Sequence, residues 1–277
     1  MKFGKHLRQA LLVMMAAALP ISGAVAEDSK VKWKMAGTFP SSLPQLGTLG
    51  KRLEDQIGKV SGGNIQIRFY EPNALVPPLE AFDAVSAGAI DAAFSTPGFW
   101  GGKVPALQVF AALPFGPAAP EYMAWFYFGG GKEIFDEIYA KYGIKSVMCG
   151  MLAPEGSGWF KKEIKSVDDL NGLKLRFFGL GAKALGKFGV SAQLLAAPDV
   201  YPALDRGVID GLEFVQPAID LKMGFWQIAK YYYFPGWHQQ STFFDLMMNN
   251  VSGREVQQQI IDKNPAWMLV YKGVKRW

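Results

Sequence analysis

The chain has 277 residues, of which 50% are hydrophobic and 19% charged, with one cysteine and two histidines. This length and apolar content predict one large domain or two smaller lobes, and they exclude an intrinsically disordered chain. The single cysteine, Cys149, excludes a disulfide-stabilised scaffold and a zinc site built from clustered thiolates. Two histidines leave little material for histidine-based catalysis.

Residues 1–26 have the pattern of a secretory signal peptide. Three basic residues precede the apolar run Ala10–Leu19, and a small-residue cleavage site ends at Ala26. We expect cleavage after Ala26, which removes three basic and no acidic residues, so the formal net charge falls from +5 to +2. No later apolar run reaches the ~18 residues of a membrane span. The sequence therefore predicts an exported protein that is near neutral, for which nucleic acid or an anionic membrane surface is not the obvious partner.

Predicted strands and helices alternate along the rest of the chain. The pattern predicts helices at Leu46–Val60, Leu79–Ala87 and Glu121–Tyr142. The predicted strands are Val31–Ala36, Ile65–Tyr70, Ile90–Ser95, Ile144–Cys149, Leu173–Phe177, Ser191–Leu195 and Ile209–Val215. This order predicts an α/β fold with largely parallel sheets.

An internal repeat points to two related lobes. The segments Ala84–Asp91 and Ala203–Asp210 each combine the end of a helix, a glycine at the cap position and a strand that opens with Ile-Asp. Their spacing is far longer than a solenoid period, so duplicated lobes are favoured over a coincidence of a common junction. In two such lobes, Ser95–Trp100 and Glu213–Gln216 would follow equivalent strands and face a shared cleft.

A glycine-rich turn leaves an enzymatic alternative open. Residues 179–184 fit the dinucleotide fingerprint G-x-G-x-x-G/A, with Asp199 placed as a ribose-binding acid. The competing interpretation is an ordinary tight turn from strand to helix, which also needs small residues. The alternatives to a binding protein are thus an exported NAD-dependent oxidoreductase or, through Glu155 and Glu213, a carboxylate-pair hydrolase. The same two acids would also suit a hard cation.

Arg176 is the most informative single residue. It lies in a strand with apolar neighbours, where an unpaired charge is very costly, so it needs an anionic partner. A ligand carboxylate and an internal acid both satisfy that need, and the position alone does not separate them. His238 is expected to be a hydrogen-bonded structural histidine. The aromatic residues Phe99, Trp100 and Phe214 provide apolar walls for a small-ligand pocket.

Most of the chain, from Val31 to about Asn249, carries segments of a recognisable family. They are Ser61–Gly63, Glu71–Pro77, Phe82–Gly88, Pro114–Gly116, Gly158–Ile164, Leu175-Arg176, Ala203–Asp210 and Tyr231–His238. With these segments in this order, the chain resembles the solute-binding proteins of tripartite ATP-independent periplasmic (TRAP) transporters. Its closest branch looks like the one that contains binders of 2-oxo acids and lactate.

This resemblance implies a non-enzymatic protein of the two-lobed periplasmic binding protein type. Its lobes close on a small organic acid in the periplasm and deliver it to small and large membrane subunits. The resemblance assigns the ligand carboxylate to Arg176. It also implies that Na⁺ or Ca²⁺ bridges ligand and protein, held by Glu213, the main-chain carbonyl of Phe214 and Gln239.

Three departures from the family pattern affect the predicted site. Glu155 and Gln239 stand where the branch often has Gln and Glu, and Phe99 replaces a pocket tyrosine. The tail, residues 251–277, departs from the family, which continues through further helices, so the chain is expected to be shortened there. The predicted division is a signal peptide at 1–26, a first lobe at 27–143, a second at 144–212 and crossing segments at 213–277.

Overall fold

The computed structural model describes residues 30–250, so the predicted signal peptide and the tail at 251–277 lie outside the described residues. Within the described range, ten strands form two five-stranded sheets with helices packed around them. The expected two-lobed α/β fold is confirmed. None of the helices between residues 30 and 250 is both long and apolar enough for a membrane span.

The elements follow one another in a mixed order. In chain order the strands are β1 (Val31–Gly37), β2 (Ile65–Tyr70), β3 (Ala92–Ser95), β4 (Ile144–Leu152), β5 (Gly158–Phe160), β6 (Lys174–Arg176), β7 (Ser191–Gln193), β8 (Gly211–Leu212), β9 (Tyr231–Tyr233) and β10 (Thr242–Asn249). The α-helices are α1 (Leu46–Val60), α2 (Ala81–Ser86), α3 (Ala119–Phe128), α4 (Gly131–Ala140), α5 (Gly179–Gly186), α6 (Ala197–Asp205) and α7 (Pro217–Met223). A short 3₁₀ helix, Pro97–Trp100, follows β3.

The two sheets have equivalent topologies. The first has the strand order β2-β1-β3-β10-β4 and the second has the order β7-β6-β8-β5-β9. In each sheet one strand, β10 or β5, pairs antiparallel with both neighbours, so the other four strands run in one direction. The chain crosses from the first sheet to the second after β4 and returns after β9.

The predicted repeat has the same hydrogen bonds in both lobes. Gly88 and Gly207 cap α2 and α6 with φ angles of 72° and 74°, which are left-handed values that glycine adopts without strain. A carboxylate then accepts a main-chain N–H of the neighbouring strand at 2.8 Å in each lobe, Lys34 to Asp91 and Lys174 to Asp210. These matched contacts support the duplicated-lobe interpretation.

Two predicted features differ from the structure. The single helix predicted over Glu121–Tyr142 is two helices, because Gly130 has a φ of 87° and cannot continue a right-handed helix. Strand β4 pairs with β10 in the first sheet, whereas the predicted boundary between residues 143 and 144 assigned it to the second lobe. Strands β5, β9 and β10 have no counterpart among the predicted strands.

Candidate functional site

A cavity lies where the strand ends of the two lobes meet. Its volume is about 320 Å³, with its opening to solvent included. The first lobe contributes Thr96 and Phe99, and the second contributes Arg176 and Phe214. The connections from β4 to β5 and from β9 to β10, where the chain passes between the sheets, contribute Glu155 and Gln239. Both segments that the sequence placed at a shared cleft therefore reach the cavity.

Arg176 lies at the end of β6 and is 2% exposed. Its Nη1 atom donates to the Glu213 side-chain Oε2 at 3.0 Å and also to the Glu213 main-chain oxygen. The guanidinium carbon lies 5.1 Å from the centre of the Phe214 ring, within the range of a cation–π contact. Nη2 has no hydrogen-bond partner among residues 30–250, so two N–H donors remain for a ligand. Both proposed partners of Arg176 are thus compatible with the structure. The internal acid Glu213 binds Nη1, and the donors on Nη2 remain for a ligand carboxylate.

Glu213 directly follows β8, which pairs with β6 in parallel, so its carboxylate comes to lie beside Arg176. The Phe178 main-chain N–H also donates to Oε2, at 3.0 Å. Burial opposes the ionisation of Glu213, but the charge of Arg176, aided by the neighbouring His238, outweighs burial and lowers the pKa of Glu213 to about 2. Glu213 is therefore ionised at neutral pH.

A second acid and a histidine complete a buried cluster. The His238 Nε2 atom lies 3.4 Å from Glu213 Oε1 and 3.6 Å from Glu155 Oε2. Burial, reinforced by the nearby Glu213 carboxylate, raises the pKa of Glu155 well above its ordinary value. Neither ring nitrogen of His238 has a hydrogen-bond partner among the described residues, contrary to the expected hydrogen-bonded structural histidine. His238 was not predicted to belong to the site, although it directly precedes Gln239.

Three buried oxygens in this region have no hydrogen-bond partner among the described residues. They are Glu155 Oε2, Glu213 Oε1 and Gln239 Oε1. The main-chain oxygen of Phe214 likewise accepts no hydrogen bond within residues 30–250. A buried oxygen without a hydrogen-bond partner costs about 1–3 kcal/mol, and carboxylate, amide and carbonyl oxygens are the ligands that Na⁺ and Ca²⁺ prefer. The His238 side chain lies beside the two acids and offers a nitrogen as well. The residues present therefore fit a bound hard cation.

The predicted aromatic walls are only partly in the cavity. Phe99 lines it and lies 5.7 Å from the Phe178 ring of the other lobe. Trp100 does not line the cavity, because the 3₁₀ helix directs its side chain into the core of the first lobe, where its ring lies 5.6 Å from that of Phe82. Phe39 and Phe178 line the cavity as well but were not predicted.

The glycines of the dinucleotide-like turn have packing roles. Gly179 has a φ of 64°, which favours glycine at the entry to α5. A Cβ atom on Gly181 would lie 2.7 Å from the Phe177 ring and 2.9 Å from the His238 Cβ. The turn thus needs small residues for packing against the site.

Comparison with known proteins identifies the family. Residues 35–252 match DctP, bacterial extracellular solute-binding protein family 7. The chain is 38% identical over 221 residues to the monocarboxylate 2-oxoacid-binding periplasmic protein of Nostoc sp. strain PCC 7120, a match that covers 79% of this chain. The chain spans only 60% of the length of that relative.

Two crystal structures share the fold at the same level of identity. A TRAP periplasmic solute-binding protein from Pseudoalteromonas atlantica T6c, with bound sodium and pyruvate, gives a TM-score of 0.78 at 38% identity, over 80% of this chain and 68% of that one. Another from Colwellia psychrerythraea, with bound calcium and pyruvate, gives a TM-score of 0.77 at 38% identity, over 82% of this chain and 69% of that one. These matches do not support the oxidoreductase or hydrolase alternatives. The chain belongs to the DctP family of bacterial extracellular solute-binding proteins, whose members are solute receptors and not enzymes.

Proposed function

We propose that this chain captures a small 2-oxo monocarboxylate, such as pyruvate, together with Na⁺ or Ca²⁺. The observation that carries the proposal is the arrangement around Arg176. Its Nη2 donors have no partner in the described part of the chain. Buried oxygens of Glu155, Glu213 and Gln239 have no hydrogen-bond partner there either, and Glu155 and Gln239 line the same cavity as Arg176. One ligand with a carboxylate, combined with one cation, satisfies both sets of atoms.

Each residue then has a definite role. Arg176 Nη2 binds the ligand carboxylate, because a guanidinium forms charge-assisted hydrogen bonds with that group. Glu213, the Phe214 carbonyl and Gln239 hold the cation, with Glu155 as a further oxygen donor. The cation supplies positive charge that offsets the ligand carboxylate beside two buried acids. Phe99 and Phe214 exclude water from the ligand, which strengthens these electrostatic contacts.

The relatives support this assignment in the chemistry of their ligands. One is a 2-oxoacid-binding protein, and two others were crystallised with pyruvate and either sodium or calcium. We further propose that the protein acts in the periplasm after cleavage behind Ala26. There it passes its ligand to TRAP membrane subunits, as the family resemblance implies.

A thermal-shift experiment tests the proposal. The purified protein is stripped of metal and heated with pyruvate, lactate or acetate, each with and without Ca²⁺ or Na⁺. A ligand that binds only the folded state raises the melting temperature by mass action. We expect the largest rise with pyruvate and cation together. No rise with any of these acid and cation pairs would refute the proposed function.

A further inference from the structure

Asp220 is a buried carboxylate that lies behind the cavity and does not line it. It belongs to α7, is 1% exposed and has both oxygens occupied. Oδ1 accepts the main-chain N–H of Val215 at 3.1 Å, and Oδ2 accepts the indole N–H of Trp159 at 3.0 Å. Two directed hydrogen bonds on a fully buried carboxylate hold it in a single orientation.

The hydrogen bond to Val215 fixes the orientation of the whole Phe214–Val215 peptide unit. The Val215 N–H and the Phe214 carbonyl belong to the same peptide unit, and in a trans peptide these two groups point in opposite directions. Because Asp220 holds the N–H on its own side, the Phe214 carbonyl must face away from Asp220. This carbonyl accepts no hydrogen bond within residues 30–250, and both Phe214 and Val215 line the cavity.

The same hydrogen bond changes the electronic character of the peptide. A carboxylate that accepts the N–H polarises the peptide unit and increases the negative charge on the carbonyl oxygen. A more negative oxygen is a better ligand for a hard cation. Groups that orient a ligand atom from behind typically affect metal affinity 10- to 100-fold.

We propose that Asp220 is a positioning residue, which orients and polarises the Phe214 carbonyl as a cation ligand. Asp220 acts through the Phe214–Val215 peptide and touches neither cation nor acid. This inference rests on the proposed function, because it presupposes a cation in the cavity. The competing explanation is a purely structural role, in which Asp220 only anchors Trp159, whose ring lies 4.4 Å from that of Tyr232.

The Asp220→Asn variant separates the two roles. An amide keeps the shape of the side chain, but its NH₂ group cannot accept a hydrogen bond, so one of the two bonds is lost. The matched control is Asp245→Asn, the same change at a buried carboxylate of the first lobe that bonds Tyr139 and Ser146. Two Kd values are measured by calorimetry, for Ca²⁺ in the presence of pyruvate and for pyruvate at saturating Ca²⁺.

We expect Asp220→Asn to raise the Kd for Ca²⁺ about 10- to 100-fold, with a much smaller change in the Kd for pyruvate at saturating Ca²⁺. Asp245→Asn should leave both values unchanged. If Asp220→Asn does not fold, as judged by circular dichroism, Asp220→Ser serves as the second variant, with a loss of Ca²⁺ affinity at least as large.

Two outcomes with the variants overturn the inference while the proposed function stands. Folded variants with wild-type Ca²⁺ affinity would exclude any role of Asp220 in cation binding. Equal losses of Ca²⁺ and pyruvate affinity, with a lower melting temperature, would show a structural role only. If the wild-type protein itself shows no cation-dependent binding of pyruvate, the proposed function fails, and the inference fails with it.

Discussion

At the residue scale, Arg176 both holds the site together and provides free donors. Nη1 binds Glu213, which keeps a buried carboxylate ionised, and Nη2 has no partner among the described residues. A planar guanidinium can do both at once, because its donors point in several fixed directions. A lysine ammonium retains the charge but has no such planar fork.

We therefore predict that Arg176→Lys weakens pyruvate binding strongly. The expected loss is about 1.5–3 kcal/mol, the usual contribution of a hydrogen bond to a charged group, which corresponds to roughly a 10- to 150-fold higher Kd. Calorimetry in the presence of Ca²⁺ measures this loss. Arg206→Lys, the same change at an exposed arginine, is the control and should bind like wild type. Wild-type affinity in Arg176→Lys would mean that Arg176 is purely structural.

Glu155 is expected to set the preference between cations. Burial raises the pKa of Glu155, but the positive charge of a bound cation favours its ionised form. With Glu213 it then brings a second carboxylate to the cluster, and calcium sites gain affinity with the number of charged ligands. Glu155→Gln should therefore lower the affinity for Ca²⁺ about tenfold and affect Na⁺ less. Competition of the two cations in the presence of pyruvate measures the preference, with the exposed Glu163→Gln as the control. An unchanged ratio of the two affinities would exclude Glu155 from the cation shell.

Sequence alone predicted part of this site. Arg176 stood out because a charge within an apolar strand requires a partner, and the family resemblance implied Glu213 and Gln239. His238 and Asp220 were not assigned to the site, because their positions depend on long-range packing. Asp220 accepts the indole N–H of Trp159 across 61 residues of sequence, and His238 lies near Glu155 across 83. No local pattern encodes such contacts.

At the element scale, the 3₁₀ helix Pro97–Trp100 meets the second lobe at Phe178. Gly98 lets this contact form, since a Cβ there would lie 2.3 Å from the Phe178 Cζ and 2.7 Å from the Ala111 Cβ. The neighbouring Phe99 ring packs against the same Phe178 ring at 5.7 Å. The 3₁₀ helix and the residue before α5 therefore form an apolar contact between the two lobes at the wall of the cavity.

We predict that Gly98→Ala weakens ligand binding. The added methyl group forces Phe178 or Ala111 to move, and overpacking of this kind costs about 1–3 kcal/mol. The pyruvate Kd should rise about 5- to 150-fold, since that range corresponds to the same energy. Gly102→Ala is a matched control, because nothing lies within 4 Å of a Cβ at Gly102. Equal affinities of the two variants would rule out the Gly98–Phe178 contact as a closing surface.

Long helices and strands were predicted from the sequence more accurately than short ones. The bounds of α1 and β2 were predicted as the structure has them, because a 15-residue helix and a 6-residue strand each show several repeats of their period. Strands β5 and β9 have three residues each and show no period. Strand β10 is mostly buried on both faces, so its polar and apolar residues do not alternate.

At the scale of the whole molecule, the two lobes share a fold but differ in charge. The Lys34–Asp91 contact of the first lobe is equivalent to the Lys174–Asp210 contact of the second. When the two lobes are matched residue by residue from these contacts, Arg176 corresponds to Ala36. The same matching places Glu213 where the first lobe has Phe94. The second lobe thus lines the cavity with Arg176, which pairs with Glu213, whereas the first lobe lines it mainly with apolar residues. This arrangement suits a ligand with one charged and one apolar end.

The first lobe also contains a buried acid, Asp245, and its raised pKa predicts that the stability of the protein depends on pH. Burial raises the pKa of Asp245 from 3.8 to about 6, although hydrogen bonds from Tyr139 and Ser146 oppose the rise. Between these two values the folded state keeps a proton that the unfolded state has lost. The free energy of unfolding therefore falls as pH rises from about 4 to about 6, by up to about 3 kcal/mol at 1.4 kcal/mol for each pKa unit.

Asp245→Asn should remove this contribution. Relative to wild type, the variant should gain up to about 3 kcal/mol in free energy of unfolding between pH 4 and pH 7, because an amide does not ionise there. Urea denaturation at several pH values measures both proteins, and the contributions of all other acids cancel in the difference. Parallel curves for the two proteins would contradict the assigned role of Asp245.

The most direct test of the central claim is calorimetry of pyruvate binding to metal-stripped protein. The titration is carried out with a chelator and only a large organic counter-ion present, and it is then repeated after Ca²⁺ or Na⁺ is restored. Cooperation of Arg176 with a cation held by Glu213, Phe214 and Gln239 predicts little binding in the first titration and strong binding in the second. Full-strength binding without any small cation would contradict this claim, since Arg176 would then hold the acid alone.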